Sequence, residues 1–309
     1  MRVIITGGTG LIGRHLAGSL AADGHEVIVL SRNPERATNL PAGVRAERWD
    51  GRTAAGWGHL ADGAGAIVNL AGENLAGSNP PFDMRWTPAR KQRILESRLN
   101  AGQAVVEAIQ AAAVKPSVLI QSSAVGYYGP RGDEEVTEQT PAGTGFQADV
   151  CVQWERSTEA VEALGVRRVL IRTAPVLSLD GVLLRLMLLP VRLFVGGPIG
   201  GGQQWFPWIH LADETAAIRF LIERQDASGP FNLCAPGIVR NREFYQIAGR
   251  VLGRPSFFPT PGFLLKLALG EVSELVLAGQ RQIPARLQQM GFSFRFPELE
   301  GALRDLLKK

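Results

Sequence analysis

The chain is short of cysteine, of histidine and of long apolar runs, and each shortage narrows what it can be. Two cysteines in 309 residues, Cys151 and Cys234, provide neither a disulfide framework nor a CxxC metal pair. Both are expected as reduced thiols in a cytoplasmic setting. The histidines, His15, His25, His59 and His210, share no metal-ligand spacing, so no metal site is expected, and His210 is expected to be satisfied by backbone. The most apolar stretch, residues 182–195, is broken by Arg185, Pro190 and Arg192 and is too short for a bilayer-spanning helix. It reads as a buried helix beside a pocket. Met1 leads straight into a strand and a glycine turn, with no room for a secretory leader. The basic residues are scattered and the net charge of +4 is modest, so no nucleic-acid partner is expected, and without a bilayer-spanning stretch no membrane partner is expected either.

What is present is enough for a large core, with 45% hydrophobic and 20% charged residues. Short β-rich runs alternate with longer helical patterns: 3–6 then 11–23, 27–30, 66–70 then 91–112, 118–121 then 148–164, and 169–172. That alternation predicts βαβ units, and strands apolar almost throughout predict a parallel sheet covered on both faces. A helix over 211–223 and a strand over 231–233 follow. From about residue 255 short amphipathic segments mix with Pro and Gly breaks.

The run Thr6-Gly7-Gly8-Thr9-Gly10-Leu11-Ile12-Gly13 places glycines where a strand ends and a helix begins. Gly7 allows the tight turn, Gly10 a close approach of backbone to a pyrophosphate, and Gly13 close packing of helix on strand. The amides of Thr9, Leu11 and Ile12 lie at the positive helix end that faces phosphate. No Gly-Lys-Ser/Thr follows, which excludes a Walker loop. The second strand ends in Ser31-Arg32-Asn33, with no carboxylate to hold adenine ribose hydroxyls. Ser31 and Arg32 suit a 2′-phosphate, so NADP(H) is preferred over NAD(H). Asp50 either accepts from an adenine amino group or forms a turn. Asn69-Leu70-Ala71-Gly72 closes another buried strand with small residues beside the cofactor. The fold class is therefore α/β, a Rossmann-type doubly wound parallel sheet with a small C-terminal lobe. Residues 1–175 form the NADP(H)-binding domain, partly completed by 205–235, and 176–309 the substrate-side lobe.

The motifs Thr6–Gly13, Asn69–Gly72, Ser122-Ser123-Ala124-Val125-Gly126-Tyr127-Tyr128-Gly129, Arg172-Thr173-Ala174-Pro175-Val176 and Phe206-Pro207-Trp208-Ile209-His210 resemble the extended, epimerase-like short-chain dehydrogenase/reductases. Gly72-Glu73-Asn74, Ser97-Arg98, Cys151 with Trp154-Glu155, and the tail from Gly279-Gln280-Arg281 to Phe296-Pro297-Glu298-Leu299 resemble its "epimerase family protein" subgroup, whose C-terminal domain has no assigned function. The resemblance implies that Leu70 and Ala71 line the cofactor, that Arg98 faces its phosphates or ribose, and that Val176 sits near the nicotinamide. Arg93 shares a helical face with Ser97 and is a further candidate, its alternative a solvated surface residue.

The wider family transfers a proton with a Tyr followed four residues later by Lys. None of Tyr127, Tyr128 and Tyr245 has that lysine, and Gln147 and Cys151 stand approximately where the pair belongs. Ser123 is the candidate hydrogen-bond donor to a substrate carbonyl, or else a strand-end cap. Tyr127 is the candidate proton donor, or else an aromatic packed over the pocket loop. Cys151 reads as a small buried hydrophobe. Trp205, Phe206 and Trp208, with Gln203 and Gln204, form either a substrate wall or the lobe's anchor to the sheet, and Arg281 is a candidate contact for an anionic substrate. The expected function is an NADP(H)-binding epimerase-like oxidoreductase for a small hydroxyl or carbonyl compound or a nucleotide sugar. The alternative is a catalytically silent NADPH-binding regulatory protein. A homodimer through helices 91–112 and 148–164 is expected as possible from the resemblance.

Overall fold

The computed structural model describes residues 1–37, 40–75, 77 and 84–308. In chain order its main elements are β1 (Arg2–Thr6), α1 (Leu11–Ala22), β2 (Glu26–Ser31), β3 (Val44–Arg48), β4 (Ala66–Asn69), α2 (Pro88–Ala111) and β5 (Val118–Ala124). They continue with α3 (Phe146–Arg156), β6 (Arg167–Thr173), α4 (Val182–Arg192), α5 (Leu211–Glu223), β7 (Gly229–Leu233), α6 (Asn241–Leu252) and α7 (Gly262–Leu269). The seven strands form one sheet in the order β7-β6-β5-β4-β1-β2-β3, every pair parallel.

The near-continuous apolar strands are explained by burial on both faces. Side chains alternate across a strand, so Val3 and Ile5 point to one side and Ile4 to the other. Val3, Ile5, Val27 and Val29 pack with Leu16 and Leu20 of α1 and Ile218 and Leu221 of α5. Ile4, Ile28, Ile67 and Leu119 pack with Ala101, Ala104, Val105 and Ala108 of α2, whose small side chains let the helix lie close. A third core, with Leu188, Trp208, Phe244 and Leu303, holds the lobe together.

Strand order reverses direction between β1 and β4, and the crevice at their carboxyl ends is where such sheets take ligands. The strand ends are tied beneath that crevice by a buried polar ladder. Thr6 Oγ1 donates to Asn69 Oδ1 (2.6 Å), and Asn69 Nδ2 donates to Gln121 Oε1 (2.8 Å). The Ala71 amide donates to Thr6 Oγ1 (3.1 Å), which fixes the chain where it leaves β4.

Two expectations are corrected. The predicted helix over 148–164 is α3 followed by a separate 3-10 segment, Glu159–Leu164. Ser157 Oγ bonds back to the Trp154 carbonyl (2.7 Å), a competition with helical bonding that ends the helix there. The apolar run 182–195 is a helix, but not a buried one. Leu184, Met187, Leu188 and Val191 make a single inward stripe, while Val182, Leu183, Leu189 and Leu193 to Val195 are exposed.

Candidate functional site

A groove of about 940 Å³ runs over the strand ends from the glycine turn to the end of β2. At Gly7, φ is +64° and an added Cβ would stand 2.9 Å from the Leu70 carbonyl carbon, so only glycine fits between β1 and β4. An added Cβ at Gly13 would meet Gly7 O and Gly8 Cα at 2.6 Å, which sets how closely α1 lies on β1. Gly10 is the N-cap of α1, with no side-chain cap and no acidic residue in the first turn, so the helix end keeps its free amides and positive field for an anion.

At the other end Ser31 and Arg32 line the groove, joined by Arg36 and Arg52. Ser31 Oγ accepts from the Asn33 amide (3.2 Å). Asp50 is spent on a turn, accepting from the Arg52 amide (2.7 Å) and the Thr53 amide (2.8 Å) while still lining the wall. Leu70, Ala71, Gly72 and Arg93 line the groove with Gly7, Thr9 and Gly10. Leu11, Ile12 and Gly13 lie behind the turn. Arg98 is buried under Gly72, donating to the carbonyls of Glu73 (3.2 Å) and Ile94 (2.9 Å) and stacking on Trp154. Its burial works against the charged form. Arg93 is exposed and faces Glu73 (3.4 Å).

A second, tighter cleft of about 100 Å³ opens between the sheet and the lobe, walled by Gly126, Gln147, Pro175, Gln204, Trp205 and Gln280. Val176 adjoins Pro175 and pairs with Ile209. Gln204 Nε2 is held by the carbonyls of Ile199 (3.1 Å) and Val276 (2.8 Å), and Gln280 Nε2 by Gly129 (2.9 Å). Trp205 Nε1 donates to Asp133 (2.8 Å). Three acidic residues in a row each take one neighbouring cation: Asp133 with Arg240 (2.8 Å), Glu134 with Arg131 (3.4 Å) and Glu135 with Arg281 (3.6 Å).

Behind this cleft lies a buried network. Arg172 makes a two-pronged pair with Glu155, Nε to Oε1 at 2.9 Å and Nη2 to Oε2 at 3.0 Å. Its Nη1 donates to the Tyr128 hydroxyl (3.0 Å), which donates to Asn232 Oδ1 (2.6 Å). Burial holds the Tyr128 phenol well above its usual range. Ser123, 3% exposed, donates to Glu155 Oε1 (2.7 Å). The Tyr127 ring lies over the Arg172 guanidinium at 3.5 Å, and its hydroxyl has no hydrogen-bond partner among the described residues. Cys151 is buried, its thiol pushed up to about 11 by desolvation and by Glu155. That is the behaviour of an inert core thiol. His210 Nδ1 accepts from the Ala212 amide (3.0 Å), a backbone partner. Among the described residues no His, Cys, Asp or Glu cluster could hold a metal ion.

Sequence reasoning missed Arg36 and Arg52, although four further arginines in the 20 residues after Arg32 were a usable signal. It also missed the Thr6–Asn69–Gln121 ladder and the Glu155–Arg172 pair, which carry no signal because their partners are far apart along the chain.

Residues 3–234 match the NAD dependent epimerase/dehydratase family, and residues 260–306 match a domain of unknown function, DUF1731. The chain is 38% identical to the epimerase family protein YfhF of Bacillus subtilis, over 99% of this chain and 98% of that one. It is similar in structure to human epimerase family protein SDR39U1 (isoform2), crystallised with NADPH, at 35% identity, TM-score 0.88 and 99% coverage of each chain. A nucleoside-diphosphate sugar epimerase from Corynebacterium glutamicum is 33% identical with TM-score 0.77, over 99% of this chain and 58% of that one. Glycine turn, strand order and these matches agree, and the chain belongs to the NAD dependent epimerase/dehydratase family.

Proposed function

We propose that this protein binds NADPH and uses it to reduce a small uncharged carbonyl compound, or to oxidise the matching alcohol. The observation that carries the reading is the groove, with a glycine cradle and uncapped helix end at one extremity and Ser31, Arg32, Arg36 and Arg52 at the other. That spacing of anion sites suits a diphosphate followed by a 2′-phosphate. The human relative's NADPH supports the choice of cofactor. Gly7, Thr9 and Gly10 would hold the diphosphate, with the amides of Leu11 and Ile12 behind them and Gly13 seating the helix. Leu70, Ala71, Gly72 and Arg93 would flank the ribose and nicotinamide. When bound, the nicotinamide supplies or accepts a hydride.

The cleft favours a small carbonyl over a nucleotide sugar. No Lys or Arg lines it, and Arg131, Arg240 and Arg281 beside it each face a carboxylate. A sugar diphosphate would have to displace those partners, and Arg281 is thereby a poor anion contact. In this reading the Ser123 hydroxyl rotates from Glu155 to the substrate oxygen while Arg172 keeps Glu155 in place. Tyr127 supplies the proton. Buried free Cys151 and Cys234 support a reducing, cytoplasmic setting.

A specific observation favours a second reading, a silent NADPH-binding protein. Ser123 is committed to Glu155, and the cleft presents the Gln147 amide, which transfers no proton at neutral pH. The two separate in one experiment, deuteride transfer from 4-deuterated NADPH across a library of small aldehydes and ketones, followed by mass spectrometry. Transfer is expected, reduced roughly 100-fold by Ser123→Ala or Tyr127→Phe. A protein that binds NADPH tightly and labels no product is the silent one.

A further inference from the structure

We infer that the lobe carries a peripheral docking surface for an anionic lipid bilayer, formed by the end of α4, the segment before α7, and α7 itself. Among the described residues, every exposed large hydrophobic side chain except Met1 and Val114 falls within 182–195 or 257–275. Scattered exposed apolar residues are ordinary, but a concentration of them marks a contact surface. α7 reads Gly-Phe-Leu-Leu-Lys-Leu-Ala-Leu and buries none of its residues. Phe263 is 69% exposed and Leu267 73%. A helix this apolar is ordinarily covered, and among the described residues it is left largely open, with the Arg85 side chain on its Leu267 and Ala268 carbonyls.

The segments meet in space. The Phe258 amide donates to the Gly196 carbonyl (3.1 Å), and the Thr260 amide to Pro198 (2.9 Å). Arg254 stacks on Phe194 at 4.3 Å, and Phe257 packs against Phe258 at 4.5 Å. An added Cβ at Gly262, the first residue of α7, would lie 3.7 Å from Gly200. Phe194 is the one non-glycine residue with positive φ (65°) among those described, so strained backbone holds this exposed ring at the loop tip.

Charge decides the occupant. No Asp or Glu occurs over residues 181–212 or 244–270; Glu271, paired with Lys91, and exposed Glu274 follow at the edge of the face beside Leu275. Arg192, Arg254 and Lys266 are exposed there, and none has a carboxylate partner among the described residues. Phenylalanine and leucine fringed by unpaired cations is the chemistry of insertion into the headgroup region of an anionic leaflet. A second copy of this chain fits less well, because a two-fold interface would set these cations against one another. Arg192, Arg254 and Lys266, far apart in sequence, come from segments that the fold brings together. This surface is separate from the NADPH groove and does not rest on the proposed reaction.

The test is flotation of the purified full chain, with NADPH, on vesicles of phosphatidylcholine alone and of equimolar phosphatidylcholine and phosphatidylglycerol. Binding is expected on the anionic vesicles, falling as salt is raised, and weak on the neutral ones. The double variant F263S/L267Q is expected to lower binding roughly tenfold or more, and R254Q/K266Q to lower it on anionic vesicles alone. Because these side chains are exposed, NADPH-induced thermal stabilisation serves as the folding control and is expected unchanged. No binding to either vesicle overturns the inference and leaves an acidic protein partner. It is also overturned by variants that float like the wild type, or by a dimer in sedimentation equilibrium that F263S/L267Q dissolves.

Discussion

Arg32 and Glu214 show opposite ways in which surroundings set a side chain's role. Arg32 is exposed at the groove rim, packed by its stem near Gly51, with no carboxylate partner among the described residues. A charge-assisted bond to a phosphate contributes about 1.5–3 kcal/mol, so Arg32→Ala is expected to weaken NADPH binding roughly 10- to 100-fold. NADH, without the 2′-phosphate, is expected to lose less than about twofold. Calorimetry with both nucleotides checks this, and equal losses would remove the assignment.

Glu214 is fully buried on α5, accepting from Thr173 (2.9 Å) through one oxygen while the other has no partner among the described residues. Desolvation pushes its carboxyl up to about 8 from the ordinary 4.5. Between those values the folded protein holds a proton the unfolded chain has lost, so stability falls as pH rises through the window. The slope is at most about 1.4 kcal/mol per pH unit, and it flattens above about 8. Glu214→Gln keeps the shape and removes the ionisation. Urea unfolding is expected to show the variant close to wild type at about pH 5 and more stable at about pH 8. A wild type with no such decline would place the proton elsewhere.

At the level of elements, the turn from β1 into α1 works as one unit, because Gly7 and Gly13 occupy the same contact from two sides. Gly13→Val would drive a branched side chain into the Gly7 carbonyl and lift the helix end from the phosphate position. We expect NADPH to give no thermal stabilisation of this variant, while its far-ultraviolet circular dichroism stays close to wild type. Retained binding would show that the helix end is not the anion site. This unit was legible in the sequence because spacing, strand and helix all fall within 22 residues. α3 was legible only in part. The periodicity that predicts it continues past Arg156, whereas the Ser157 back-bond that stops it is a matter of side-chain geometry. The helix at 182–192 was placed correctly and its burial was not, since composition says how apolar a helix is but not how much of it finds a neighbour.

Across the whole molecule, distant segments converge on Arg172. Glu155 comes from α3, Tyr128 from the loop after β5, and Asn232 from β7. Gln282, from the C-terminal tail, donates to Asn232 Oδ1 (3.0 Å) and to the Arg172 carbonyl (2.9 Å), so the tail closes over the network behind the cleft. The chain by itself determined the parallel sheet and the glycine turn, and it carried the argument for a 2′-phosphate, because those follow from side-chain period and from residues adjacent in sequence. Only the tertiary structure decided that Ser123 is bonded to Glu155, that three arginines near the cleft are already paired, and that exposed apolar and cationic groups share one face. Apart from the local pair Arg131–Glu134 (i,i+3), those contacts join residues tens to more than a hundred positions apart, and chain connectivity carries no record of which of them meet until the sheet brings them together.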